Sequence, residues 1–382
     1  MKAVVFHDIG DVRLDTVSDP RIEQPTDAIV RITPSALCGT DLHMVRGTLG
    51  PMEPGTVMGH EGVGIVEEVG AAVRNLRPGD RVVVSSTIAC GFCVYCRAGY
   101  YSQCDNSNPN GMRAGTAFYG GPAMTGHYGG LQAELARIPF ASINLIKLPK
   151  EVTDNQAIML SDIFPTGYFG ADLAEIRSGD AVAVFGCGPV GQFAIASAKL
   201  HNAGRIFAID HVQSRLEMAR DQGAEVINFE REDPVEAILQ ATGGIGVDRA
   251  IDAVGVDAER PHAGPARKKV DEHAQLYDQE IREITSGHVN KGDGFRPGDA
   301  PSLALEWEVD ALDKAGTLAV IGVYPENAQF FPLGKAMNKN LTIKMGNCNH
   351  RKYIPKLVDL VESSTVDPQR VLTQAEPISS AV

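Results

Sequence analysis

The sequence predicts an α/β chain in two parts, a partly open β-barrel followed by a doubly wound parallel sheet. Three observations predict it. Residues up to about 163 carry short apolar runs broken by Gly and Pro, as from Pro78 to Ser85. Cys90, Cys93, Cys96 and Cys104 fall within 15 residues of that first part. Beyond residue 164, apolar strands alternate with helical patterns, the arrangement of a parallel sheet wrapped by helices.

The four cysteines have the spacing of a closed tetrahedral zinc site. Four thiolate ligands leave no open coordination position, so such a site is structural and any chemistry belongs elsewhere. A pair of disulfides or a redox CxxC are the competing readings. Only Cys38, Cys187 and Cys348 remain of the seven cysteines, so the cluster is not a by-product of a cysteine-rich composition.

In the second part, the apolar run Ala181 to Phe185 enters Gly186, Gly188, Pro189, Val190 and Gly191, and a helical pattern follows from Gln192 to Leu200. A bare GxGxxG is weak, but between strand and helix it lets the backbone approach a pyrophosphate beside a helix N-terminus. The next strand, Arg205 to Ile209, ends at Asp210, 19 residues after Gly191, where a carboxylate can bond both ribose hydroxyls. That favours NAD over NADP, with His211 and Arg215 softening the exclusion. The alternative for Asp210 is a solvated strand end. Glu225 to Asn228, Arg249 to Val254 and Thr317 to Gly322 supply further parallel strands.

With 382 residues, 43% of them hydrophobic, the chain has material for two substantial cores. The net charge of −13 opposes a nucleic-acid or anionic-membrane partner. No apolar run approaches the ~20 residues of a membrane helix. Met1 to Phe6 reads as a strand and not a secretory signal, and thiols available for metal suit a reducing compartment, so the expected location is cytoplasmic.

A second metal centre is suggested by Cys38, in the run Cys38 to His43, and by His60, framed by Gly59 and Glu61 in a glycine-rich strand segment. Singly, a buried cysteine and a core histidine are ordinary. Together, and with the motifs above, they resemble the zinc-dependent alcohol dehydrogenases of the medium-chain dehydrogenase family from near the N-terminus to the last residues. The resemblance implies a GroES-like catalytic domain over 1–163, a Rossmann NAD-binding domain over 164–325 with an insertion near 256–301, and a return to the catalytic domain over 326–382. It also implies two zinc ions per subunit, an alcohol or aldehyde substrate and a homo-oligomer, a tetramer in preference to a dimer.

By the same resemblance, Cys38 and His60 are catalytic-zinc ligands and Glu61 is an alternative or transient one. The third ligand departs from the liver-type pattern, where it is a cysteine. Here the corresponding position is Asp162, as in the formaldehyde dehydrogenase and formaldehyde dismutase branch; its other reading is a helix N-cap. Thr40 aligns with the hydroxyl that bonds substrate, His43 with the surface histidine that passes the proton outward, and Asp41 with the carboxylate that orients the zinc-bound histidine. Thr166, Val254, Gly322 and Val323 join the expected NAD contacts. Ser86 replaces an aromatic wall residue. The implied chemistry is NAD-linked oxidation of an alcohol or hydrated aldehyde, with zinc as Lewis acid; reduction and formaldehyde dismutation use the same site, and a non-catalytic zinc and nucleotide binder is the reading from another class.

Two further features depart from the family. Between Gly255 and Ser302 lies a polar segment with a helix-like stretch from Val270 to Glu283, open to roles as a subunit contact, a cover for the cofactor, or a solvated excursion. Its histidines, His262, His273 and His288, have no ligand spacing. The sequence also stops after Pro377 to Val382, where the family continues into a helix and closing strand, so the expectation is a truncated C-terminus.

Overall fold

The computed structural model describes residues 1–285 and 296–380, and these fall into two compact units. One unit takes Met1–Pro165 and the chain from Asn347 onward; the other takes the chain between, from Thr166 to Gly346.

The first unit opens with a hairpin of β1 (Lys2–Asp8) and β2 (Asp11–Thr16). Its main sheet is antiparallel and built from β3 (Ala28–Ser35), β4 (Gly62–Val69), β5 (Arg81–Val84), β6 (Leu135–Ile138) and β7 (Leu145–Lys147), in the order β6-β3-β4-β5-β7. Ala28, Val30, Val66, Val82 and Val84 alternate along these strands into one core with Ile88, Tyr119 and Leu131. Three of the expected site segments flank this sheet: Cys38 follows β3, His60 and Glu61 precede β4, and the cysteine cluster follows β5.

The second unit is a six-stranded, all-parallel sheet of β8 (Ala181–Phe185), β9 (Arg205–Asp210), β10 (Glu225–Asn228), β11 (Val247–Asp252), β12 (Leu312–Val320) and β13 (Thr342–Met345), ordered β10-β9-β8-β11-β12-β13. Helices cover both faces. Val182, Val184, Ile206 and Ala208 enter one core, and Ala183, Phe185, Phe207 and Ile209 the other. That is why these strands read as continuous apolar runs: a parallel strand buried on both faces has no polar side to alternate with. Strand order reverses between β8 and β11, the switch point where such sheets bind nucleotides at their carboxyl ends.

Two expectations need correcting. The return expected at 326 falls at Asn347, because β13 pairs in parallel with β12 and holds the chain in the second unit as far as Gly346. The polar segment after Gly255 is more than a solvated excursion. Two helices, Gly264–Asp271 and Ala274–Ile284, break the expected single stretch at Glu272 and His273, and Val270 and Tyr277 pack with Ala300 and Leu303 against Trp307. Arg260 lies 5.5 Å above the Tyr277 ring and binds Asp278 and Asp299. His262 bonds Glu230 and His273 faces Glu306, so neither is set for metal, and His288 lies outside the described residues.

Candidate metal centres and nucleotide-binding turn

The first centre is the cysteine cluster. Cys93 N-caps the short helix Val94–Arg97, which turns Cys96 back toward it, and all four sulfurs lie within 4.8 Å of one another. No described cysteine is in a disulfide. Backbone amides point at the sulfurs: Cys90 N–H donates to Cys104 Sγ at 3.2 Å and Cys93 N–H to Cys90 Sγ at 3.4 Å. Asn106 adds its side-chain amide to Cys90 Sγ at 3.2 Å. Burial opposes charge on Cys93, yet the amides of Cys96 and Asp105 bring its thiol down to about 7. Burial pushes Cys96 and Cys104 up, so a compact set of thiolates here requires a cation. The donors fit tetrahedral zinc without an open position.

The second centre gathers Cys38, His60, Glu61 and Asp162, one ligand atom from each lying within 4.8 Å of the others. Cys38 N-caps the helix Gly39–Arg46, and Asp41, three residues on, closes a capping box by accepting the Cys38 N–H at 2.9 Å. The other Asp41 oxygen stands 3.2 Å from His60 Nδ1, so the residue that caps the helix also places a carboxylate behind the imidazole. Gln132 bonds Asp41 from behind at 3.1 Å. The chain enters His60 through Gly59 at φ +92°, where a Cβ would meet Gln132 at 2.4 Å. Ser161 ties the remaining segments: its hydroxyl donates to Val84 and accepts from Gly62 N–H at 3.0 Å, fixing the turn that presents Asp162 beside Glu61.

The electrostatics of this cluster suit a bound cation. Both Glu61 oxygens are buried without a hydrogen-bond partner, and burial together with Asp162 pushes the Glu61 carboxyl well above its ordinary range. Burial pushes the Cys38 thiol up to about 11, with Asp162 and Glu61 adding to the rise. Burial opposes charge on His60 as well, but Asp41 and Asp162 hold its pKa high. Asp162, against its own burial, is held well below the carboxylate range by His350 and His60. Cys38, His60 and Asp162 supply sulfur, nitrogen and oxygen donors that suit zinc, with a fourth position open whenever Glu61 stands off.

Among the other expected residues, Thr40 lies 3.8 Å from Cys38 Sγ. His43 is buried at 6% exposure, not at the surface as expected, because its helix packs inward, and its Nδ1 is 3.3 Å from Thr48 Oγ1. Ser86 is buried beside Ser161. His350 escaped the sequence reading. Its Nε2 is 2.5 Å from Asp162 Oδ1, across 188 residues of sequence, and no local pattern marks it.

In the second unit, Gly186 follows β8 at φ +83°, Gly188 N-caps the helix Pro189–Leu200, and Pro189 and Val190 open its first turn. A Cβ on Gly191 would stand 1.8 Å from Gly186 O, so a Gly191→Ala exchange should disrupt this turn; the check is loss of NADH fluorescence enhancement by the folded variant. Asp210 ends β9, with Oδ2 accepting from Cys187 N–H at 2.8 Å and Oδ1 from the amides of His211 and Val212. Three amides thus lock the carboxylate beside the glycine turn, and Arg215 approaches it at 3.7 Å. Val254 follows β11, and Gly322 and Val323 follow β12, where Val256 N–H bonds Val323 O at 2.9 Å. Thr166 rides the helix Ile163–Leu173, whose Gly167 lies close enough to Phe193 and Ala194 that a Cβ would clash.

Residues 24–150 match the family described as alcohol dehydrogenase GroES-like domain, and residues 189–262 the family described as zinc-binding dehydrogenase. An uncharacterized zinc-type alcohol dehydrogenase-like protein of Bacillus subtilis is 36% identical over 384 residues, covering 100% of this chain and 94% of that protein. A glutathione-independent formaldehyde dehydrogenase of Pseudomonas aeruginosa is 38% identical over 275 residues, covering 69% of this chain and 68% of its own. The structure of alcohol dehydrogenase TADH from Thermus sp. ATN1 superposes with a TM-score of 0.81 at 34% identity, covering 100% of this chain and 94% of that one. With both domain families matched and a relative aligned over the whole of this chain, the protein belongs to the zinc-dependent alcohol dehydrogenase family of oxidoreductases.

Proposed function

We propose that the protein oxidises an alcohol or hydrated aldehyde with NAD, using Cys38, His60 and Asp162 to hold a catalytic zinc with Glu61 as an exchangeable donor. The observation that carries this reading is the convergence of those four side chains, with His60, Glu61 and Asp162 buried and Cys38 partly so. When bound, zinc would supply Lewis-acid polarisation of a substrate oxygen and NAD a hydride-accepting ring. The chain supplies the rest. Asp41 and Gln132 keep His60 aimed, and burial of the cluster excludes bulk water. The proton leaving the substrate hydroxyl passes to Thr40, and His43, three residues along the same helix, is the next base. Cys90, Cys93, Cys96 and Cys104 hold the structural zinc.

The residues Gly186, Gly188, Pro189, Val190, Gly191, Thr166, Val254, Gly322 and Val323 form the proposed NAD contacts, with Asp210 on the ribose and Arg215 beside it. Asp210 would repel a 2′-phosphate, so NAD should be preferred, and Asp210→Gly should narrow the NAD to NADP ratio of kcat/KM on the order of 10- to 100-fold. Equal efficiency with both cofactors in the parent protein would overturn the assignment.

A formaldehyde-oxidising or dismutating activity is the second reading, supported by the carboxylate at Asp162 and the likeness to the Pseudomonas aeruginosa enzyme. A panel of primary alcohols, secondary alcohols and formaldehyde, followed by NADH absorbance alongside zinc analysis, separates the readings. NADH formation with formaldehyde alone, or equal formate and methanol from formaldehyde without net NADH, favours the second, and no turnover of any of them rejects both. A cytoplasmic homotetramer completes the proposal; described thiols outside disulfides fit that compartment. No described helix is long and apolar enough to cross a membrane.

A further inference from the structure

We propose that His350 is a positioning residue for the second metal centre, holding one oxygen of Asp162 so that only the other can ligate. The proposal rests on the zinc reading above. Asp162 Oδ1 faces His350 Nε2 at 2.5 Å, while Oδ2 faces His60 Nε2 at 3.1 Å. An ionised carboxylate only accepts, so His350 Nε2 carries the proton and donates it to the bond. Thr87 Oγ1 stands 3.0 Å from the other ring nitrogen, Nδ1. Thr87, His350 and Asp162 therefore form a buried line of hydrogen-bonding groups ending on the Asp162 oxygen that does not face His60.

The imidazole is itself held from several sides. His350 begins the helix His350–Glu362, and the residues just before it are tied down in turn. Asn349 Oδ1 accepts from Ser102 N–H at 3.0 Å and Ser102 Oγ at 3.1 Å, within the loop between Cys96 and Cys104. Asn347 Nδ2 donates to Thr116 Oγ1 at 2.7 Å, and Cys348 O accepts from Thr87. The cysteine lobe thus supports the segment that presents His350.

A carboxylate with both oxygens free can swing between one-point and two-point ligation, and two-point ligation would fill the position a substrate oxygen needs. With Oδ1 occupied by His350, Asp162 offers Oδ2 alone. Partners of this kind behind a metal ligand typically change metal affinity by about 10- to 100-fold when removed.

The test compares His350→Leu, which fills the space without a donor, with His350→Gln, which keeps an N–H donor, and with Thr87→Val. Zinc equivalents, competition with a chromophoric chelator and the d–d spectrum after cobalt substitution are measured on each purified protein. All variants should keep the cysteine-site zinc. The Leu variant should bind the second ion about 10- to 100-fold more weakly with an altered cobalt spectrum, the Gln variant should recover most of the affinity, and Thr87→Val should lose about threefold. A Leu variant equal to the parent, or a Gln variant as weak as Leu, overturns the proposal. Should His350→Leu not fold, parent-like binding and an unchanged spectrum in Thr87→Val overturn it instead. A parent protein that never binds the second ion rejects the underlying zinc reading, a separate outcome.

Discussion

Asp162→Ala should empty or loosen the second metal centre and reduce kcat/KM by about a thousandfold, since zinc contributes several kcal/mol of charge stabilisation. Removing this carboxylate leaves Cys38, His60 and Glu61, and it also strips His350 of its acceptor. Asp162→Cys should fare better, because a thiolate restores both ligation and charge. Were Asp162 only a helix cap, Asn would rescue instead, as a good N-cap without the anionic charge. Zinc stoichiometry, NAD-linked turnover and thermal midpoint of the Ala, Cys and Asn variants decide between them. Full zinc and near-normal turnover in the Ala variant would place the third ligand elsewhere.

Cys104→Ser should remove the other zinc and lower the thermal midpoint on the order of 10 °C, because a structural site contributes binding free energy directly to folding. Its sulfur accepts the Cys90 N–H and closes the loop from Cys90 to Cys104. With the metal gone, limited proteolysis should cut first in that loop. The loss should spread to His350, since Ser102 holds Asn349, and weaker retention of the second zinc would report it. Two zinc ions and an unchanged midpoint in the Ser variant would reject the structural assignment.

The parts of the site legible in sequence are those in which ligands lie close along the chain or on a local turn. Cys90, Cys93 and Cys96 are three residues apart, with Cys93 capping the short helix that carries Cys96, and the closing Cys104 returns through a short loop, so their convergence needs no distant contact. Gly186 to Gly191 form their turn from local sterics, and Asp41 caps its own helix. Cys38, His60 and Asp162 lie far apart in sequence and were identified by likeness to a family. Nothing in the periodicity around them says they meet.

What the sequence by itself determined was the two-part α/β architecture, the four-cysteine cluster and the strand-turn-helix at Gly186, because strand period, turn sterics and ligand spacing act over a few residues. Tertiary structure alone decided that β13 adds to the parallel sheet, that His43 turns inward, that Tyr277 anchors the segment after Gly255, and that His350 reaches Asp162. Thr342 to Met345 is too short to announce its partner, and a histidine opening an amphipathic helix looks like any other helical residue. Their placement follows from packing and hydrogen bonds between segments separated by up to hundreds of residues, and a linear pattern carries no record of which distant groups will need a partner when buried together.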